Sequence, residues 1–196
     1  SPATFDPRPD SETVIAAATT WARDHRPGAR ILDLGTGTGC LLMACLSELP
    51  RTTGVGIDVS AESVMVATAN AHRHGFGGRG RFYQADFSAD LTGLGIFDLI
   101  LSNPPYIPSG SIGALDTDVR HFDPLAALDG GLDGLDCWRV LCPQINILLA
   151  DEGMAFLEVG AGQRTAVEML GAASKLHLVG SFADLSGCER CLQFQK

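Results

Sequence analysis

The chain has 196 residues, 45% hydrophobic and 19% charged, which suits one packed α/β domain and argues against disorder. Its 14 basic and 23 acidic residues give a net charge of −9, which argues against tight unaided binding to nucleic acid because neutralising phosphates takes clustered Lys and Arg. No apolar run reaches the roughly 20 residues of a membrane helix and no signal segment opens the chain, so we expect a cytoplasmic protein.

Predicted strands and helices alternate along the chain, which indicates a mostly parallel sheet covered on both faces. Helices are predicted at 11–24, 40–49, 60–74, 135–149 and 163–174, the fourth interrupted or bent near Pro143. Strands are predicted at 30–34, 53–57, 81–85, 97–102, 153–159, 176–181 and 190–195, the last two as a closing pair. Residues 107–131 are long and irregular, as functional lids often are.

A glycine-rich turn, Asp33-Leu34-Gly35-Thr36-Gly37-Thr38-Gly39, lies between the first strand and the second helix. Glycines let the backbone turn sharply and approach a ligand, and the start of the helix offers free N–H groups. A dinucleotide-binding turn has Gly or Ala where this chain has Cys40, so the spacing favours S-adenosylmethionine over NAD. The alternative is a glycine-rich turn without a ligand. The predicted cofactor-binding residues here are Asp33, Gly35, Thr36, Gly37, Thr38 and Gly39.

Two further strands end in acidic residues that suit a nucleoside. Asp58 ends the second strand, 23 residues after Gly35, and is predicted to accept hydrogen bonds from ribose hydroxyls. Its alternative role is to cap the next helix, which Ser60 can do alone. Asp86 and Phe87 follow the third strand and are predicted to contact the amino group and the ring of adenine. An ordinary strand-end turn is the alternative for this pair.

The segment Asn103-Pro104-Pro105-Tyr106 follows the fourth strand at its carboxyl end, where open α/β sheets place their sites. Two prolines fix the backbone and remove two N–H donors, so carbonyls in the turn are free to face a ligand. The Asn103 side chain and the Pro104 carbonyl are paired acceptors for an NH₂ group, and Tyr106 offers a flat face. We predict Asn103, Pro104 and Tyr106 as catalytic, all four residues as substrate-binding, and Asn103 as a secondary cofactor contact. A proline-rich turn that only ends a strand is the alternative.

Six cysteines are present, and Cys188 and Cys191 alone have the spacing of a metal or redox pair. A zinc site would need two more ligands, for which Cys137 and Cys142 are loose candidates. We interpret all six as small, partly buried thiols.

The Gly35–Gly39 turn, Asp58 and the Asn-Pro-Pro-Tyr turn together resemble class I methyltransferases that act on nitrogen. One branch fits more closely, the bacterial protein-(glutamine-N5) methyltransferases that modify peptide chain release factors. Its members carry a Pro-Arg-Pro-x-(Thr/Ser)-Glu segment, similar to Pro7–Glu12 here, and an acidic-Pro-x-x-Ala-Leu-x-Gly-Gly-x-Asp-Gly-Leu stretch, similar to Asp123–Leu135. The resemblance extends over nearly the whole chain from Pro7.

This resemblance implies a Rossmann-like, seven-stranded, mostly parallel sheet with an antiparallel closing strand. It implies S-adenosyl-L-methionine as methyl donor, S-adenosyl-L-homocysteine as product and no metal. The implied substrate is the glutamine amide in the Gly-Gly-Gln motif of a release factor, methylated by a monomer. Two departures stand out: the family's N-terminal helical docking domain is absent, so residues 1–196 are expected to be one catalytic domain, and Phe87 stands where relatives often have Trp.

Three other functions remain open from the sequence. A nucleic-acid adenine-N6 methyltransferase would use the same Asn-Pro-Pro-Tyr turn on a flipped base, although the charge of −9 and the segment at Pro7–Glu12 disfavour it. A glutamine methyltransferase that acts on a ribosomal protein typically has Pro-Arg-Ser-Pro in that segment, where this chain has Pro9. A non-catalytic nucleotide-binding module is the third.

Overall fold

Buried apolar strands alternate with helices that each bury one face, as the sequence predicts. The computed structural model describes residues 11–115 and 124–196; Pro7 to Asp10 and Asp123, which carry part of the family resemblance, lie outside the described residues. The described helices are α1 (Ser11–His25), α2 (Cys40–Glu48), α3 (Ala61–Arg73), α4 (Asp136–Leu148) and α5 (Arg164–Ala173). The strands are β1 (Arg30–Leu34), β2 (Thr53–Asp58), β3 (Gly80–Gln84), β4 (Phe97–Ser102), β5 (Leu149–Glu158), β6 (His177–Ala183) and β7 (Glu189–Gln195).

Seven strands in the described part of the chain form one sheet, in the order β3-β2-β1-β4-β5-β7-β6. The pairs among β1 to β5 are parallel, and β7 runs antiparallel to both β5 and β6. The predicted fold class, a class I methyltransferase sheet with an antiparallel closing strand, is confirmed. The chain moves to opposite sides of β1 when it forms β2 and β4, and the carboxyl ends of these strands leave a crevice there.

Successive residues of each buried strand pack against opposite layers of helices, because side chains alternate between the faces of a sheet. Leu32 and Leu34 of β1 contact one apolar cluster that includes Trp138 of α4. Ile31, directly before Leu32 and therefore on the opposite face of the sheet, contacts the other cluster, which includes Leu42 of α2. The sheet is therefore covered by α4 and α5 on one face and by α1, α2 and α3 on the other.

Two predicted elements differ from the structure. The fourth helix is predicted from the sequence to be interrupted or bent near Pro143; an interruption is wrong, because α4 continues through Pro143. A proline removes one helical hydrogen bond, but Pro143 and Arg139, whose carbonyl loses that donor, are both exposed, and water can satisfy the carbonyl. Strand β5 begins at Leu149, four residues before the predicted Gly153. The exposed Asp151 and Glu152 interrupt the apolar pattern from which a buried strand is predicted.

All six cysteines are free thiols. Burial raises the pKa of Cys142 to about 11 and that of Cys191 to about 12, so both sulfurs stay protonated near neutral pH. Within residues 11–115 and 124–196, no group of three or more His, Cys, Asp or Glu side chains is placed to hold a metal ion. None of the helices described there combines the length and the apolar character that crossing a membrane requires.

Candidate functional site

The crevice at the carboxyl ends of β1, β2, β3 and β4 contains a cavity of about 450 Å³. Most of the residues predicted from the sequence come together on its walls, although they belong to four separate strand ends. Those that line it are Gly35, Thr36, Gly37, Thr38, Asp58, Asp86, Phe87, Asn103, Pro104, Pro105 and Tyr106. Asp33 and Gly39 do not line it among the described residues.

The turn at residues 35–39 is fixed on β2 by paired backbone hydrogen bonds. The N–H groups of Gly35 and Thr36 both donate to the Ile57 carbonyl at 2.9 Å. Gly35 and Gly37 have φ angles of 78° and 52°, in the left-handed region that disfavours a side chain. A Cβ on Gly37 would meet no heavy atom within 4 Å, so backbone conformation rather than space requires glycine at that position. At Gly35 and Gly37 the turn thus presents backbone without side chains to the cavity.

Asp33 lies behind this turn and is completely buried. Its Oδ2 accepts a hydrogen bond from the Thr36 hydroxyl at 2.7 Å, and this bond holds the turn against the end of β1. Burial raises the pKa of Asp33 to about 7, because desolvation disfavours the charged carboxylate more than the Thr36 hydroxyl favours it. Asp33 therefore acts on the cavity through Thr36, which does line it.

Asp58, at the end of β2, is hydrogen-bonded both to the glycine turn and to the start of α3. Its Oδ2 accepts a hydrogen bond from the Gly37 N–H at 2.9 Å, and its Oδ1 accepts one from the Ser60 N–H at 2.9 Å. The cap of α3 is Ser60, whose hydroxyl oxygen accepts from the Ser63 N–H at 3.2 Å. Asp58 is therefore not needed as the helix cap, and its carboxylate borders the cavity.

Asp86 and Phe87 form the wall beyond β3. Asp86 is exposed, and its carboxyl accepts hydrogen bonds from the backbone N–H and from the hydroxyl of Ser88. These two bonds, the backbone one more strongly, lower the pKa of the Asp86 carboxyl, so it is ionised at neutral pH. The Phe87 ring lies close to the glycine turn: a Cβ on Gly35 would be 3.2 Å from the ring carbon Cζ. The amide of Gln144 donates to the Phe87 carbonyl at 3.0 Å and thereby fixes this turn to α4.

The turn at Asn103–Tyr106 faces the glycine turn across the cavity. The Ser102 hydroxyl donates to the Leu34 carbonyl at 2.7 Å, which joins the ends of β4 and β1 directly before the two turns begin. Pro104 is buried, whereas Asn103 and Tyr106 are half-buried and reach the cavity. The Asn103 side-chain Nδ2 donates to the hydroxyl oxygen of Ser11 at 3.3 Å.

The segment at 128–134 packs against the far side of this turn. The Ile107 N–H donates to the Leu128 carbonyl at 3.1 Å, and the Gly130 N–H donates to the Ile107 carbonyl at 2.9 Å. Gly134 stands so close that a Cβ on it would lie 2.4 Å from the Tyr106 carbonyl oxygen. The Gln163 amide bridges both segments, donating to the carbonyls of Tyr106 at 2.9 Å and Gly134 at 3.2 Å. These contacts fix the backbone that carries Tyr106.

Comparison with known proteins agrees with this geometry. A model of the methyltransferase domain family matches residues 25–130. A release factor glutamine methyltransferase from Agrobacterium fabrum is 37% identical to the chain, over 98% of this chain and 67% of that protein. The chain belongs to the release factor glutamine methyltransferase family.

A further relative and two solved structures are also similar to the chain. A release factor glutamine methyltransferase from Rhodospirillum rubrum is 47% identical over 96% of this chain and 57% of that protein, so the chain spans little more than half the length of that relative. The crystal structure of a release factor-specific protein-(glutamine-N5) methyltransferase from Alicyclobacillus acidocaldarius is similar with a TM-score of 0.57 and 25% identity, covering 96% of this chain and 92% of that one. A methyltransferase from Pyrococcus furiosus, at 17% identity and a TM-score of 0.68 over 99% of this chain and 85% of that one, shares the fold.

Several residues at the site of this family member were not predicted as functional from the sequence. Val59, 61% exposed beside Asp58, and Leu128 add apolar walls to the cavity. Ser11 lines the cavity too; it belongs to the Pro7–Glu12 segment that carries the resemblance, which was the signal available for it. Gln163 carried no motif, because its role arises only when α5 is placed beside the Asn-Pro-Pro-Tyr turn.

Proposed function

We propose that this chain transfers a methyl group from S-adenosylmethionine to the side-chain amide nitrogen of the glutamine in the Gly-Gly-Gln motif of a peptide chain release factor. The observation that supports this most is the meeting of the Asn103–Tyr106 turn and the Gly35–Gly39 turn across one cavity. The names of the 37–47% identical relatives support the same substrate. Because release factors act in translation, we also propose that the enzyme works in the cytoplasm.

The family and the fold imply S-adenosylmethionine, and the residues present fit it. A cavity of about 450 Å³ lies within the roughly 300–1,000 Å³ of pockets that hold small ligands and cofactors. Among the described residues that line it, Asp58 and Asp86 are the charged ones, and two acids favour a cationic ligand. Glycines at 35 and 37 leave room for close approach of a ligand to backbone N–H groups.

We assign cofactor contacts by the chemistry of these side chains. Asp58 would accept hydrogen bonds from the ribose hydroxyls with the lone pairs that Gly37 and Ser60 leave unused. Asp86 and the ring of Phe87 would contact the adenine. When bound, S-adenosylmethionine supplies the methyl group on a cationic sulfur, which is a good leaving group and needs no metal.

The chain's own task is then to hold a weakly nucleophilic amide nitrogen. Two acceptors, the Asn103 Oδ1 and the Pro104 carbonyl, would bind the two N–H groups of the glutamine amide and orient its nitrogen toward the methyl group. The same two acceptors favour the positive charge that develops on nitrogen, so they are worth more in the transition state than in the ground state. Tyr106 offers its face to the planar amide. The nitrogen's extra proton leaves to water.

The test is mass spectrometry of a release factor after incubation with the chain and methyl-labelled S-adenosylmethionine. We expect one labelled methyl group on the glutamine of the Gly-Gly-Gln motif, and none when that glutamine is replaced by alanine. A ribosomal protein, DNA and RNA are tested in parallel. Label in one of those three instead, from a preparation that binds the cofactor, would overturn the proposal in favour of the corresponding alternative.

A further inference from the structure

Two hydrogen bonds in series, one buried and one partly buried, lead from the sheet to the amide of Asn103. Glu158, the last residue of β5, is 2% exposed, and Ser11, in α1, is 5% exposed. The Ser11 hydroxyl donates to Glu158 Oε2 at 2.6 Å, and Asn103 Nδ2 donates to the Ser11 oxygen at 3.3 Å. Along the chain, Glu158 is 147 positions and Asn103 is 92 positions from Ser11, so only the fold brings the three residues together.

The Ser11 hydroxyl is the donor in one of these hydrogen bonds and the acceptor in the other. Glu158 Oε2 accepts from the Ser11 hydroxyl, so the single hydrogen of that hydroxyl is committed to Glu158. The Ser11 oxygen is then left to accept, and Asn103 must offer it an N–H. A side-chain amide flipped by 180° has nearly the same shape but exchanges its donor and its acceptor. Turning Asn103 over would place its oxygen against a hydroxyl oxygen with no hydrogen to share.

This restriction matters because the substrate of the proposed function is itself an amide. If Asn103 presented its NH₂ group to the cavity, two donors would face each other and the glutamine nitrogen would be repelled. If it presents Oδ1, the glutamine N–H has an acceptor. We propose that Ser11 and Glu158 are positioning residues that hold Asn103 with its oxygen toward the acceptor nitrogen, and so select a nitrogen that carries hydrogens. The inference rests on the proposed function for its substrate, but the orientation of Asn103 can be measured without any substrate.

The kinetic test compares Ser11→Ala, which removes the hydroxyl, with Ser11→Thr, which keeps it. We expect Ser11→Ala to lower kcat on release factor by about tenfold, with the KM for release factor and the affinity for S-adenosylmethionine within about twofold of wild type. Ser11→Thr should recover most of kcat. Thr19→Ala is the matched control, because Thr19 is another buried hydroxyl of α1 and its hydrogen bond goes to the Ile15 carbonyl of the same helix. It should leave kcat unchanged.

Glu158→Gln provides a second variant of nearly equal volume. A glutamine there can donate as well as accept, so the Ser11 hydroxyl is free to donate to Asn103, and both orientations of the Asn103 amide become possible. We expect kcat to fall by about two- to tenfold as the unproductive orientation becomes populated.

The orientation itself is read from the ¹⁵N–¹H₂ signals of the Asn103 side chain, assigned by their loss in Asn103→Ala. These hydrogens should exchange slowly with solvent in wild type and in Ser11→Thr, and faster in Ser11→Ala and Glu158→Gln. Unchanged exchange and unchanged kcat in a folded Ser11→Ala variant would overturn the proposed positioning role. A wild type that shows the protected amide but does not methylate release factor would instead refute the proposed function and leave the orientation of Asn103 established.

Discussion

The Asp58 carboxylate accepts a hydrogen bond from the backbone N–H of Gly37 at 2.9 Å, so the end of β2 orders the turn that follows β1. Its second oxygen accepts from the Ser60 N–H, also at 2.9 Å. A carboxylate has about four acceptor sites, so two remain for a ligand in the cavity. One side chain can therefore hold the glycine turn in place and bind what lies against it.

Asp58→Ala is expected to weaken the binding of S-adenosylmethionine. The ribose hydroxyls would lose their acceptor and Gly37 its partner, a loss of about 1–3 kcal/mol or about 5- to 150-fold in Kd. Isothermal titration calorimetry on the folded variant measures it. Asp24→Ala, which changes an exposed acid of α1, is the control and should bind as wild type does. Equal affinities for both variants would remove Asp58 from the cofactor site.

Strand ends were the part of this site that could be predicted from the sequence. Asp58, Asp86 and Asn103 each come directly after a predicted strand, and parallel strands with covered faces place their carboxyl ends at one edge of the sheet. The glycine turn and the Asn-Pro-Pro-Tyr turn are local in sequence, so backbone chemistry alone identified them. Once the order of the strands is known, the two turns are expected to lie at the same cavity.

Contacts between distant segments could not be predicted in the same way. Glu158 ends an apolar strand and reads as an ordinary strand terminus, yet the fold buries it against Ser11. Gln163 precedes α5 with no pattern around it, yet its amide bridges Tyr106 and Gly134. Hydrogen bonds of this kind depend on the exact separation of two packed segments, which periodicity and propensity do not determine.

Asn103→Ala should reduce turnover by at least tenfold, equivalent to ~1.4 kcal/mol of barrier, while the fold and most of the cofactor affinity remain. The physical reason is that one of the two acceptors for the glutamine amide is lost where positive charge develops. Single-turnover kinetics with saturating cofactor and release factor isolate the methyl-transfer step. Asn146→Ala, on α4 and away from the cavity lining, is the matched control. A loss smaller than tenfold would contradict the role of Asn103 as an acceptor for the substrate.

Gly134→Ala is expected to impair turnover without touching either proposed ligand. Gly134 has a φ of 77°, and a Cβ there would lie 2.4 Å from the Tyr106 carbonyl oxygen, so the backbone of the Asn-Pro-Pro-Tyr turn must move. A shift of about 1 Å in a positioning segment can cost ~100-fold in rate. Gly110→Ala is the control, because a Cβ at Gly110 meets nothing within 4 Å. In steady-state kinetics, kcat of Gly134→Ala should be far lower than kcat of Gly110→Ala. Similar values of kcat would show that the 128–134 segment does not position Tyr106.

Asp33 gives the fold a pH dependence that a neutral side chain would lack. Its carboxyl is completely buried and its pKa is raised from 3.8 to about 7, so the folded protein keeps this proton at pH values where the unfolded chain has lost it. Holding the proton more tightly in the folded state stabilises the fold at low pH. That stabilisation is fully present below about pH 4, the unfolded pKa, and is lost as pH rises to about 7.

Asp33→Asn should therefore remove a pH-dependent component of stability. With a folded-state pKa of about 7, the free energy of unfolding of wild type should fall by up to ~4 kcal/mol between pH 4 and pH 8 because of Asp33. The variant should lack this fall. The readout is this change with pH and not the absolute stability, because a buried amide also alters the hydrogen bond with Thr36. Urea unfolding of both proteins at several pH values measures the difference, and Asp24→Asn, an exposed carboxyl on α1, should follow wild type. If the free energy of unfolding changed with pH in the same way for wild type and Asp33→Asn, Asp33 would be ionised in the folded protein throughout this range. The Thr36 hydroxyl would then donate to a buried negative charge.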